Sequence, residues 1–418
     1  MILLKLFLVM PTTSNILFVA PYSYPVINPE AIVNIKVLEL LTQNSYKIDL
    51  ISKRIKWTNY PSEKSLEDLN VTVGKNLLVE VGNKVDLKSI YGHLSALFKF
   101  GTVFKGAHWA YQVITKNREF IESGSYDIVM TKNAPSFLVG DYLKKKGLKW
   151  IATWNDPYPE IMYPEPYGTG PDTNLPLWSR KVLEIMSRAD VHIFPNDRLR
   201  NYMLQYLSVD LSKTRIIPHL AFPPNRTQKN ITGKSHLLKL VHSGNVKNPR
   251  DPKPLVRALS RLIKEHKFRD IRLDFIGVYD LDLKTLIKEL KMEDYVKLLP
   301  PSDYVESLEI MANYDVALII EAACDEGIFL PTKVGDYMTC QIPIFTISPV
   351  KGVLADLYAE GSVQYRAESG NEASIYDELV RLYSDYRAGT IRPSVFKKEY
   401  SGDSILAKYN AIISELKG

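Results

Sequence analysis

From Asn15 onward, short β-branched apolar runs alternate with longer stretches in which apolar residues recur every three or four positions. The runs read as buried strands and the longer stretches as amphipathic helices. In the first half this predicts strands at 15–20, 47–52, 126–130, 149–153, 191–194 and 215–217, with a helix over 29–41. In the second half it predicts strands at 238–242, 271–276, 295–299, 316–320 and 343–347. Such alternation builds a mostly parallel sheet covered by helices, so each half is expected to be a doubly wound α/β unit. Between about 94 and 122, Phe98, Phe100, Phe104, Trp109 and Tyr111 fall on one or two helices and are expected to pack on the sheet rather than on a membrane. Ile405, Tyr409, Ile412 and Leu416 share one helical face, which predicts a final helix over 404–416 that docks through an apolar stripe.

A chain of 418 residues exceeds the roughly 250–300 residues at which a single core stops growing. The polar, Pro- and Gly-punctuated stretch after Phe222 marks the division. Residues 1–222 are expected to form an N-terminal domain, 223–236 a linker, 237–400 a second domain and 401–418 the closing helix. Hydrophobic residues at 45% and charged residues at 24% exclude disordered and fibrous classes. Lys and Arg exceed Asp and Glu by 53 to 47, too small an excess to argue for nucleic acid. It suits an anionic small ligand or an anionic membrane surface. Cys324 and Cys340 lack metal-ligand spacing and are expected to be reduced thiols, which points to the cytoplasm.

The opening MILLKLFLVM is shorter than the roughly 20 apolar residues that cross a bilayer. It is expected to be an interfacial tail, with peripheral contact at the inner membrane face, or the result of a start placed upstream of the true one at Met10. The glycosylation-like tripeptides at Asn70, Asn225 and Asn230 are expected to be chance.

The loop after the first strand, Ala20-Pro21-Tyr22-Ser23-Tyr24-Pro25, has no glycine, so the dinucleotide fingerprint is absent. A P-loop, a zinc-protease helix and a nucleophile elbow are absent too. Asp280-Leu281-Asp282 reads as a helix start favoured by the helix dipole, not as a metal motif. Lys144-Lys145-Lys146 before Gly147 reads as a helix end. The informative segment is Glu326 to Met338, which contains Pro331-Thr332-Lys333-Val334-Gly335-Asp336-Tyr337. Pro331 suits the first turn of a helix, where Thr332, Lys333 and free backbone N–H groups form an anion site at the end of a strand. Asp336 is placed to accept from a ribose diol and Glu326 to face a sugar. Equally, Lys333 and Asp336 could be a surface pair one turn apart.

The whole chain resembles the bacterial glycosyltransferase family 4-like proteins of GT-B fold. The resemblance rests on Pro29 to Asn34, Trp150 to Tyr158, Ser187 to Val191, Ile216 to His219 and Pro331 to Tyr337, in the family's order. It implies two Rossmann-like domains facing a cleft, with the final helix crossing back to the first. It also implies retaining, metal-independent transfer from a UDP- or GDP-linked sugar to a glycan or lipid-linked acceptor, with no further cofactor. A nucleotide-sugar epimerase or phosphorylase of the same fold, or a noncatalytic partner in polysaccharide assembly, are the rival expectations. The chain departs from the family where Asp336 replaces a glutamate ten residues after Glu326 and where Asn245 replaces an arginine after Gly244. A third departure is Asn155-Asp156 in place of a histidine. Arg250 and Lys333 are the expected diphosphate cations, and Glu30 and Tyr24 the expected acceptor-side residues.

Overall fold

The computed structural model describes residues 14–25, 28–54, 70–80, 87–102, 104–171, 175–221, 237–266, 268–302 and 304–418. The opening decapeptide, the linker 223–236 and Asn225 and Asn230 lie outside the described residues. The first sheet is parallel and consists of β1 (Asn15–Val19), β2 (Lys47–Arg54), β3 (Asn76–Glu80), β4 (Ile128–Lys132), β5 (Lys149–Thr153), β6 (Val191–Phe194) and β7 (Thr214–Ile216). Their spatial order is β3-β2-β1-β4-β5-β6-β7. The second sheet, also parallel, holds β8 (Leu238–Ser243), β9 (Ile271–Ile276), β10 (Val296–Leu299), β11 (Val316–Ile320), β12 (Ile344–Ser348) and β13 (Tyr365–Glu368). Their order is β10-β9-β8-β11-β12-β13.

Each order reverses direction once, between β1 and β4 and between β8 and β11. At such a point the connections leave toward opposite faces and open a crevice beyond the carboxyl ends of the strands. Two layers of helices seal the rest. In the first domain, the helix Ala134–Lys144 lays Phe137 against Trp150 and Trp154. Gly140 permits this approach, because a Cβ there would stand 2.3 Å from the Trp150 indole. Trp154 stacks on Phe194 and donates to His192 Nδ1 at 3.2 Å, while burial holds His192 down at about 4 and therefore neutral. These contacts fix the end of β5, and with it Asn155 and Asp156.

The final helix, Gly402–Lys417, crosses back to the first domain. Ile405, Tyr409, Ile412 and Ile413 join the core of Ile16, Phe18 and Leu38. Tyr46 donates to Asn410 at 2.5 Å, and Arg215–Glu415 and Lys417–Asp127 pairs at 2.6 and 3.2 Å fasten its outer side. The lysine run is also spoken for: Lys144 pairs with Asp190, Lys145 with Asp141 and Lys146 with Glu122. Asp280 precedes the helix Leu281–Glu289 and accepts from Asn248 N at 3.1 Å, a loop tie.

Four expectations need correction. β3 and β13 are additional edge strands. β4 begins at Ile128, and Asp127 before it is tied to Asn15, its amide donating to the Asn15 carbonyl at 2.9 Å and its carboxylate accepting from Asn15 N at 3.0 Å. The aromatic stretch divides: Trp109 is buried and Phe100, Phe104 and Tyr111 pack on the core, but Phe98 is 88% exposed on the helix Leu87–Phe100, alongside exposed Tyr91 and Leu94. The last concerns Pro331, which stands two residues before the helix Lys333–Thr339 rather than in its first turn. Among the described residues no helix is long and apolar enough to cross a membrane, and both cysteines are free.

Candidate active site

The crevice of the second sheet opens where β8 and β11 diverge. β8 delivers Ser243, Gly244 and Asn245 to it, and β11 delivers Glu321. Gly244 has a φ of +110° and lies so close to Lys333 that a Cβ would stand 2.9 Å from Lys333 Cε. Lys333 Nζ in turn meets His242 Nε2 at 3.1 Å. Burial pushes Lys333 down to about 7, Arg250 adds to the push, and Asp336 opposes it. Burial, with Lys333 and Arg250, also keeps His242 far below the ordinary histidine range, hence neutral. The result is a cation held at the edge of its charged state, which an arriving anion stabilises in the protonated form. Replacing Gly244 by alanine strains the backbone and displaces Lys333, so the affinity of the site for an anionic ligand, measured by calorimetry, is expected to fall about tenfold, the worth of one hydrogen bond to a charged group.

Arg250 lines the same cavity, its guanidinium 5.7 Å from the Tyr167 ring centroid. Its field reaches Lys333, His242, Glu321 and Asp156, so it faces both walls. Glu321 gave no signal in the sequence reading. Burial raises its carboxyl to about 7, against the lowering effect of Arg250, and Oε2 finds no partner among the described residues. Asn155 Nδ2 and Ser302 Oγ, on the same cavity, are likewise unpartnered. Buried polar atoms of this kind mark where hydroxyls of a ligand fit.

The opposite wall is built by the first domain. Asn133, at a positive φ of 66° after β4, accepts from Asn155 N at 3.3 Å and donates to Glu30. It thereby sets Glu30, in the first turn of the helix Pro29–Gln43, against the residues that follow β5. Desolvation, then the neighbouring Asp156, lifts Glu30 well above the usual carboxylate range. Desolvation also raises Asp156, against the pull of Tyr163, Arg250 and Tyr158. Two carboxyl groups thus share one site and resist double ionisation.

The cavity between the walls measures about 470 Å3, within the range of small-molecule sites. Glu30, Asn155, Asp156, Gly244, Asn245, Arg250, Thr332 and Lys333 all line it. Glu326, Asp336 and Tyr24 do not. Glu326 is drawn outward by Arg198, from the first domain, and by Lys351 at 2.5 Å. Asp336 lies behind the wall, bound by Lys36 Nζ and Tyr304 OH, both at 2.7 Å. The Tyr24 carbonyl accepts from Ser52 Oγ at 2.6 Å. A second cavity, about 450 Å3, opens at the switch point of the first sheet, where Pro21 and Tyr22 follow β1 and Asn133 and Ala134 follow β4. Glu30, Asp156 and Tyr163 belong to both cavities and form the partition between them.

No family model and no curated protein matches the sequence. Solved structures do resemble the fold. A glycosyltransferase from Rickettsia africae ESF-5 aligns at TM-score 0.62 and 16% identity, over 97% of this chain and 99% of its own. A sucrose-phosphate synthase from Thermosynechococcus elongatus aligns at 0.64 and 14%, over 97% of each chain. The fold is GT-B. A UDP-GlcNAc 2-epimerase from Neisseria meningitidis, bound to UDP-GlcNAc, shares it at 0.56 and 12%, over 96% of this chain and 100% of that one. Reactions of two kinds therefore use this GT-B frame, and the site must choose between them.

Proposed function

We propose that this GT-B protein is a glycosyltransferase that moves a sugar from a UDP- or GDP-linked donor to a glycan or lipid-linked acceptor. The observation that carries the reading is the pair of adjoining cavities, with cations on the far wall of one and a carboxyl pair on the partition. Lys333 and Arg250 take the diphosphate, while Gly244, Asn245 and Thr332 border it. Asn155 and Glu321 turn unpartnered polar atoms toward the sugar. Asp336 acts from behind, through its field on Lys333 and its tie to Lys36. The acceptor enters the second cavity and reaches the sugar past Asp156. In the step, the bond from C1 to the diphosphate oxygen breaks and one from the acceptor oxygen to C1 forms.

The resemblance of the motif segments supports retention at C1, in which case the acceptor proton passes to the departing phosphate and Asp156 holds the acceptor by accepting a hydrogen bond from a hydroxyl beside the attacking one. The cationic side chains supply positive charge at the leaving group, which supports transfer without a metal; activity is expected to persist in EDTA. Asp156→Asn is expected to lower kcat about 10- to 100-fold, the worth of one charge-assisted hydrogen bond. The product anomer, read by NMR, remains that of the donor sugar. A larger loss together with an inverted product would instead make Asp156 the base of an in-line displacement.

An epimerase on the same frame converts its donor with no acceptor present. The second cavity, reached through the carboxyl partition, favours transfer over that reading. Incubation of labelled UDP- and GDP-sugars with and without glycan acceptors separates the two. Acceptor-dependent release of nucleotide supports transfer, and isomerised donor without acceptor supports the epimerase.

A further inference from the structure

We infer that the second cavity is built for an acceptor carrying an acid group, a sugar phosphate or sugar carboxylate, whose anionic end is read by Lys53 and Lys105. The inference rests on the proposed transfer, since it assigns the acceptor's chemistry in that reaction.

Glu30 and Asp156 stand at the partition to the donor cleft, whereas Lys53, Lys105 and the Glu160 that pairs with Lys105 line the second cavity but not the first. An acceptor whose hydroxyl reaches the partition therefore places its remaining groups toward the lysines. Lys53 is the penultimate residue of β2 and is half-buried, and among the described residues no carboxylate pairs with its ammonium. Burial, followed by the Lys105 charge, pushes Lys53 below the ordinary lysine range. Two like charges facing one cavity oppose each other unless an anion lies between them. Lys105 does hold Glu160 at 2.7 Å, but both side chains are largely exposed, at 75% and 58%. Exposed pairs of this kind contribute little, so an acid on the ligand can share the ammonium. Phe104, Trp109, Tyr158 and Trp178 also line the cavity and supply flat apolar walls, and Tyr22 adds a hydroxyl. Such walls suit the apolar face of a pyranose ring.

The test is calorimetry on the full chain saturated with whichever of UDP and GDP it binds, so that the donor cleft is filled. The probes are glucose 1-phosphate, glucuronate, methyl glucoside and inorganic phosphate. At least one of the two sugar acids is expected to bind, and methyl glucoside to bind at least tenfold more weakly. Lys53→Met and Lys105→Met are each expected to weaken the acid about tenfold or more, and Lys53→Arg to retain it. Lys105 is largely exposed, so its variant keeps the test valid should Lys53→Met fail to fold. Equal binding of methyl glucoside, undiminished acid binding in the Lys105 variant, or no sugar acid bound at all overturns the inference. Inorganic phosphate binding as tightly as glucose 1-phosphate overturns it too, since the sugar would then go unread. Failure of the parent reading shows separately, as no binding of UDP or GDP in the first titration.

Discussion

Replacing Lys333 by methionine is expected to lower kcat on the order of 10²–10³-fold, the cost of removing one preorganised charged donor from a departing group. The same variant identifies the charge by its pH dependence. Unfolded, the lysine titrates near 10.5, whereas in the folded chain burial holds it at about 7. Below pH 7 both states carry the proton, and the folded protein bears the whole cost of burying it. Between 7 and 10.5 the unfolded chain alone keeps the proton, so wild-type stability gains with rising pH through that window. Methionine removes this gain. A bound diphosphate raises the Lys333 pKa again, so nucleotide binding above pH 7 takes up a proton and weakens as pH rises. Titrations at pH 8 in buffers of different ionisation enthalpy measure that uptake. An equal uptake in Lys333→Met would place the titrating group elsewhere.

Lys36→Met is expected to destabilise the protein by about 3–5 kcal/mol, because it strands a buried carboxylate. Lys36 and Asp336 lie 300 positions apart and meet at 2.7 Å, with side chains 4% and 11% exposed. The pair joins the helix Pro29–Gln43 of the first domain to Lys333–Thr339 of the second. Tyr304 donates to the same oxygen at 2.7 Å, and its ring centroid stands 5.1 Å from the Lys36 ammonium. Replacing both partners together, Lys36→Met with Asp336→Leu, is expected to recover most of the loss, since neither charge is then buried alone. Urea unfolding reads both outcomes. A midpoint unmoved by Lys36→Met would show that the pair contributes nothing.

Much of the frame was legible because it follows from periodicity. β5, β6, β9 and β11 lie where their apolar runs predict, since central parallel strands are buried on both faces and read as continuous hydrophobic stretches. β3 and β13 are edge strands of mixed polarity, Asn76-Leu-Leu-Val-Glu80 and Tyr365-Arg-Ala-Glu368, and carry no such run. The resemblance pointed to Gly244 and Asp156 as candidates, and both line the cavity between the sheets. Contacts between distant segments escaped the sequence. Nothing beside Glu326 announces Arg198, and nothing beside Asp336 announces Lys36. Glu321 is hidden by its position at the end of an apolar strand, where one acid resembles a boundary. Lys53 lies near the end of an ordinary strand, and only the fold brings it into the cavity with Lys105.

The central claim is that the cleft between the two sheets binds a nucleoside diphosphate through Lys333 and Arg250. Calorimetric titration of UDP and GDP into the wild type, Lys333→Met and Arg250→Met tests it most directly. One of the two nucleotides is expected to bind the wild type with one site per chain and to lose about tenfold or more in affinity in each variant. Absence of binding of both nucleotides by the folded wild type, or undiminished affinity in both folded variants, would contradict the account.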